Sequence, residues 1–140
     1  MVQLRLTKKQ FRRLLDMAYI GNWILNSTRG DDRFQDYDEV ESLLFGQAMI
    51  EGMPSLAQLE EGEIVPSQAF VEGGIHEAIA DYEDTVFFDI LAEELARRDM
   101  DDVPIDESNF EELNDRMEAY INEFEAHGTD NIQIESDDLY

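Results

Sequence analysis

Residues 75–98 read IHEAIADYEDTVFFDILAEELARR, a stretch free of Pro and Gly whose apolar residues recur at helical spacing. In its first half Ile75, Ile79, Tyr82, Val86 and Ile90 share one stripe, with Glu77, Asp81 and Asp84 opposite. In its second half Phe87, Phe88, Leu91 and Leu95 fall on other sides of the cylinder. A helix apolar on two sides needs two things to pack against, so the stretch predicts a domain of several helices. Burial between those helices is the first expected use of Phe87, Phe88, Leu91 and Leu95. The second is a self-association seam that makes a homodimer, because an uncovered apolar patch marks an interface.

Upstream, Val2, Leu4 and Leu6 alternate with Gln3 and Arg5, which reads as a short strand. Thr7 with Gln10 three residues on is a capping-box signal, and the helix it opens should run to about Asn26. Its apolar side is Phe11, Leu14, Leu15, Ala18, Ile24 and Leu25, with Trp23 near the end. A second helix is expected over Asp36–Ile50, with Val40, Leu43, Leu44, Ala48 and Tyr37 inward and Gly52-Met53-Pro54 as its stop. Residues 52–74 resist assignment. Leu56 and Leu59 suggest one helical turn, Glu60–Glu63 a loop, and Ser67 the cap of a short helix that Gly73-Gly74 interrupts.

Downstream, Asp101-Asp102-Val103-Pro104 is a break, after which Asp106 or Ser108 can cap a final helix. Phe110, Leu113, Met117, Tyr120, Ile121 and Phe124 form its amphipathic stripe, and Gly128 is the expected stop. Asn131–Glu135 alternates again as a strand, and residues 136–140 are an acidic tail. The expected fold is therefore mainly α: a single-domain bundle of about four to five helices over residues 1–135, with a small β-ribbon formed by the N- and C-terminal strands. An isolated strand leaves its backbone unpaired, so pairing the two is the simplest solution.

The 140 residues carry 34 acids against ten Lys and Arg, a formal net charge of −24. The signs are segregated, with a net +4 over residues 1–33 and −28 from Phe34 onward. Such a field repels nucleic acid and anionic membrane and attracts cations or a basic protein surface. The absence of cysteine excludes disulfides and thiolate chemistry. No apolar run approaches the roughly 18–20 residues that span a bilayer, and no secretory signal is expected, so the cytoplasm is the expected compartment.

Several side chains are candidates for function. Lys8 and Lys9 fall in a first helical turn, where the dipole disfavours cations. The protein's own acids, such as Asp137 and Asp138, are the expected compensation. Glu77, Asp81 and Asp84 recur at i,i+4 and i,i+3 and share a helix face. With Glu111, Glu112 and Glu118 they are the expected contact surface for a basic partner, as in a mimic of nucleic-acid charge. Neither His76 nor His127 has the spacing of a metal motif: Ala80 stands where a zincin helix would have its second His. Phosphate loops, nucleophile elbows and calcium loops are likewise absent from the sequence. No catalytic residue is assigned, and no cofactor is expected.

The alternative is an enzyme. Glu60-x-x-Glu63 followed by Asp81-x-x-Asp84 resembles the paired acidic motifs of all-helical nucleotide pyrophosphohydrolases. It departs from them in that the first pair flanks Gly62 and the second has Asp in place of Glu. That resemblance implies a Mg²⁺-dependent hydrolase of a phosphorylated small molecule, with Glu60, Glu63, Asp81 and Asp84 as the metal carboxylates.

Overall fold

Thr7 opens the first helix as its sequence directs. Its hydroxyl accepts the Gln10 backbone N–H at 3.2 Å, and the Gln10 side chain accepts the Thr7 N–H at 2.9 Å. This reciprocal box satisfies donors that a helix start leaves without partners. In the computed structural model, which describes residues 1–139, helix α1 spans Lys8–Asn26 and α2 spans Gln35–Ile50. Strands β1 (Ala57–Glu60) and β2 (Glu63–Pro66), the short helix α3 (Gln68–Phe70), and the long helices α4 (His76–Asp99) and α5 (Phe110–His127) complete the described chain. The protein is mainly α-helical with one small antiparallel β-ribbon. It divides into two compact units, Met1–Ala80 and the chain from Asp81 onward, with the boundary inside α4.

The ribbon is not built from the chain's ends. Neither residues 2–6 nor 131–135 form a strand; β1 pairs with β2 in the register Ala57↔Pro66 through Glu60↔Glu63. Both loop residues have positive φ, 50° at Glu61 and 87° at Gly62, the pattern of a two-residue hairpin turn. Closing two residues costs far less chain entropy than joining the chain's ends, so the local pairing prevails. The expected turn at Leu56 exists as a 3₁₀ turn over Pro54–Leu56, while Leu59 lies in β1.

In the first unit Leu15, Phe45, Ala48, Ala57 and Phe70 form the buried core, with Phe11, Leu44, Leu56 and Ile64 packed around it. The Phe45 and Phe70 rings meet edge-on with centroids 4.9 Å apart. Helix α2 turns Leu44 and Ala48 inward as expected, but Tyr37, Val40 and Leu43 are exposed and Phe45 takes the central inward position. The helix is apolar on both sides, so its periodicity could not select the inner one. Contact with the hairpin selects it, through Gly46, where an added Cβ would sit 3.3 Å from Ile64 Cδ1. Ser67 locks the hairpin's exit: its hydroxyl donates to Ser55 O at 2.6 Å and accepts the Phe70 N–H at 3.1 Å. Gly74, at φ 103°, then makes the left-handed break before α4.

In the second unit α5 runs back along α4. Ala96, Met100 and Leu113 are buried together, flanked by Ile105, Met117 and Tyr120. Phe88 meets Phe124 further along, with centroids 5.4 Å apart. The connection turns through Asp101 and Asp102, both at positive φ, a conformation Asp tolerates better than most residues. The α5 N-cap is Asn109, not Asp106 or Ser108. The Asn109 side chain turns back to accept the Asp106 N–H, and Asp106 binds the Ser108 N–H and hydroxyl.

Phe45→Ala should lower the unfolding free energy by about 3–5 kcal/mol, whereas Leu43→Ala, two residues away and exposed, should change it by no more than about 0.5 kcal/mol. Urea denaturation of the two variants checks which face of α2 is the inner one.

Candidate functional site

The second unit concentrates the protein's charge. From Asp81 to the C-terminus there are twenty-one acids and three arginines, a net of −18. Each arginine is held by a neighbouring carboxylate: Arg97 by Glu93 at 2.7 Å, Arg98 by Asp99 at 2.9 Å and Arg116 by Glu112 at 2.8 Å. The Tyr120 hydroxyl also donates to Asp99, and with Arg98 it holds that carboxyl below its ordinary range; the same bond raises the tyrosine.

Asp84, Thr85, Phe88 and Asp89 of α4 and Ile121, Phe124 and Glu125 of α5 enclose a hollow of about 330 Å³. Its floor is apolar because Phe88 and Phe124 hold the two helices together here, and Tyr120 stacks on Phe124 at 6.0 Å. Three carboxylates, Asp84, Asp89 and Glu125, stand around that floor. A long side chain with an apolar stem and a cationic head matches both properties. Aromatic faces add to the attraction for such a cation.

The six carboxylates expected to meet a partner do not form one face. Glu77, Asp81 and Asp84 follow one another along α4 at i,i+4 and i,i+3, with Asp84 lining the hollow. Glu111 and Glu112 lie in the first turn of α5, at the end of that helix away from Phe124, and Glu112 is engaged by Arg116. Glu118 is exposed between them. Asp89 and Glu125, which join Asp84 at the hollow, were not among the six; only the pairing of α4 with α5 brings them together.

Nor do Phe87, Phe88, Leu91 and Leu95 form one exposed seam. Phe87 is exposed, Phe88 packs on Phe124, and Leu91 and Leu95 are half-buried. Glu60 and Glu63 face each other beside the hairpin turn in the first unit, while Asp81 and Asp84 belong to the second. Among the described residues no group of three or more His, Asp or Glu is placed to hold a metal ion.

The first unit contains a polar network that sequence reasoning missed. Asn22 and Asn26, buried on the inner side of α1, are one helical turn apart. The Asn26 side chain donates to Asn22 Oδ1 at 2.7 Å and to Phe34 O at 3.1 Å, and it accepts the Phe34 N–H at 2.8 Å. Asn22 donates to Asp38 at 3.0 Å, and Arg33 grips both Asp38 oxygens. Arg33 first, then Asn22, holds the Asp38 carboxyl below its ordinary range. Burial raises the neighbouring Glu41, an effect that the Asn22 amide partly offsets. Two Asn at i,i+4 within an otherwise apolar face were the available signal. Close by, Tyr19 and His76 Nε2 share a hydrogen bond of 2.6 Å, and the His76 ring lies edge-on to Trp23 at 5.8 Å. His76 is thus part of the packing against α1, and His127 is exposed beside Gly128.

Lys8 and Lys9 form no ion pair among the described residues. The Lys8 ammonium lies instead beside Gly52, 3.6 Å from where a Cβ would stand, just past the C-terminus of α2. The carbonyl end of a helix favours a cation.

No family model matches the chain, and neither the curated proteins nor the solved structures contain a match to it. Among the described residues no helix is long and apolar enough to cross a membrane.

Because the folded state raises Glu41, the stability it contributes is present below the ordinary carboxylate range and is lost as pH rises through the folded value. Glu41→Gln removes that loss. Its urea midpoint relative to the parent protein should therefore climb between about pH 4 and pH 7, and a pH-independent difference would show that Glu41 is not desolvated.

Proposed function

We propose that this protein is a non-catalytic interaction module that binds a basic protein surface through its second unit. The observation that carries the reading is the acid-rimmed apolar hollow between α4 and α5, set in a unit of net charge −18 whose three arginines are already paired. A uniform acidic field attracts any cation, but an apolar floor beneath three carboxylates selects a cation carried on an aliphatic stem. Lys and Arg side chains have that form. The surrounding acids accelerate encounter and make it salt-dependent, and the hollow gives the contact a fixed position. Asp81 and Asp84 are the expected partner contacts that this reading retains most directly, and Asp89 and Glu125 join them.

The test separates position from net charge. A fluorescent oligo-arginine peptide is titrated with the full chain and with two triple variants of equal charge. One variant neutralises the hollow (Asp84→Asn, Asp89→Asn, Glu125→Gln); the other neutralises exposed acids of the first unit (Asp31→Asn, Glu60→Gln, Glu63→Gln). At roughly 0.5 kcal/mol per exposed pair, the hollow variant should bind about tenfold more weakly than the parent. The control variant should lose much less. Equal losses would mean that only total charge matters, and the site reading would fail.

A further inference from the structure

The basic end of the first unit has the opposite character to the rest of the molecule. Seven of the ten basic side chains are in ion pairs among the described residues, and the three that are not, Arg5, Lys8 and Lys9, fall within five consecutive positions. Lys8, with Arg5 and Lys9 near it in the chain, lines a groove of about 560 Å³ whose apolar walls include Val2, Leu4, Leu6, Phe11 and Leu43, with Gln47 and Glu51 at the α2 side. Val2, Leu4 and Leu43 are exposed. Residues 2–6 belong to no helix or strand, and their backbone groups make no hydrogen bonds among the described residues.

One other segment has the matching properties. Asn131–Leu139 carries Ile132, Ile134 and Leu139, all exposed, interspersed with Glu135, Asp137 and Asp138. Its residues from Gln133 to Glu135 likewise have no backbone hydrogen-bond partner among the described residues. Three carboxylates and alternating isoleucines thus correspond to three unpaired cations and alternating Val2, Leu4 and Leu6. Neither segment is assigned to a strand among the described residues.

We propose that Asn131–Leu139 of a second copy occupies this groove, adding a strand beside residues 2–6. Ile132 and Ile134 enter among Leu4, Leu6 and Leu43, and Glu135, Asp137 and Asp138 meet Arg5, Lys8 and Lys9. Strand addition of this kind takes its affinity from main-chain hydrogen bonds and its specificity from alternate side chains. The contact is heterologous, tail to groove, so it makes a closed pair if two such contacts are satisfied reciprocally and an open chain if they are not. It is independent of the basic-partner reading, since the groove and the acidic hollow share no residue.

The experiment is sedimentation of the full chain from micromolar to near-millimolar concentration. The buffer holds about 0.15 M NaCl, where the Debye length of about 8 Å screens repulsion between the acidic bodies. Two variants alter exposed residues only: a groove variant (Leu4→Ser, Leu43→Ser) and a tail variant (Ile132→Ser, Ile134→Ser). The parent should associate with rising concentration, and each variant should do so at least tenfold more weakly. An equimolar mixture of the two should partly recover association, because the groove variant's tail is intact and the tail variant's groove is intact. A parent that remains monomeric throughout would overturn the proposal, as would variants that associate like the parent or a mixture that recovers nothing.

Discussion

Cations are scarce in this protein, and where they are used constrains everything else. Among the described residues every ion pair joins positions no more than five apart, from Arg12 and Arg13 with Asp16 to Arg33 with Asp38 and Arg116 with Glu112. Such pairs steady a helix or a loop by a few tenths of a kcal/mol, but they do not tie distant elements together. Long-range cohesion must therefore come from apolar burial and from hydrogen bonds that are not ion pairs, among them Asn22 to Asp38 and Tyr120 to Asp99. The first unit uses both, with Phe45 and Phe70 edge to face and Asn26 anchoring the start of α2 through Phe34. The second unit joins α4 to α5 with Ala96, Met100, Leu113 and the Phe88–Phe124 contact. With so few cations, most of its carboxylates remain available to an outside partner.

The helices were legible in the sequence because their signals are local. Thr7 and Gln10 start α1 where the capping box places it, and the helical periodicity after Gly74 gives α4 to within a residue at each end. What was not legible depends on tertiary pairing. The alternation at residues 2–6 and 131–135 is a valid strand signal, yet it does not say where a partner is. The hairpin at 57–66 has a weaker pattern and forms because its closing loop is two residues long. Likewise, α2 carries apolar residues on both sides, and only the approach of Ile64 at Gly46 decides that Phe45 rather than Leu43 faces inward.

The candidate site was half legible for the same reason. Asp81 and Asp84 could be placed on one face from spacing alone, but Glu125 is forty-one positions after Asp84 in the sequence and enters the hollow only because α5 folds back. The expected six-carboxylate face overlooked the direction of α5, which puts Glu111 and Glu112 at the end away from Phe124. The charge count is thus the source of the proposed basic partner, and the pairing of α4 with α5 is the source of the proposed contact's position. The same scarcity explains the N-terminal corner. Arg5, Lys8 and Lys9 stand out because every other cation has found a carboxylate nearby.

The most direct test of the central claim, that the chain from Asp81 onward is the surface a basic partner meets, is amide chemical-shift mapping. The full chain is titrated with a short oligo-arginine peptide at moderate salt. The account predicts shifts concentrated on α4 from Asp81 and on the last two turns of α5, converging on Phe88 and Phe124. Shifts spread in proportion to the carboxylates of both units, or centred on Met1–Ala80, would contradict it.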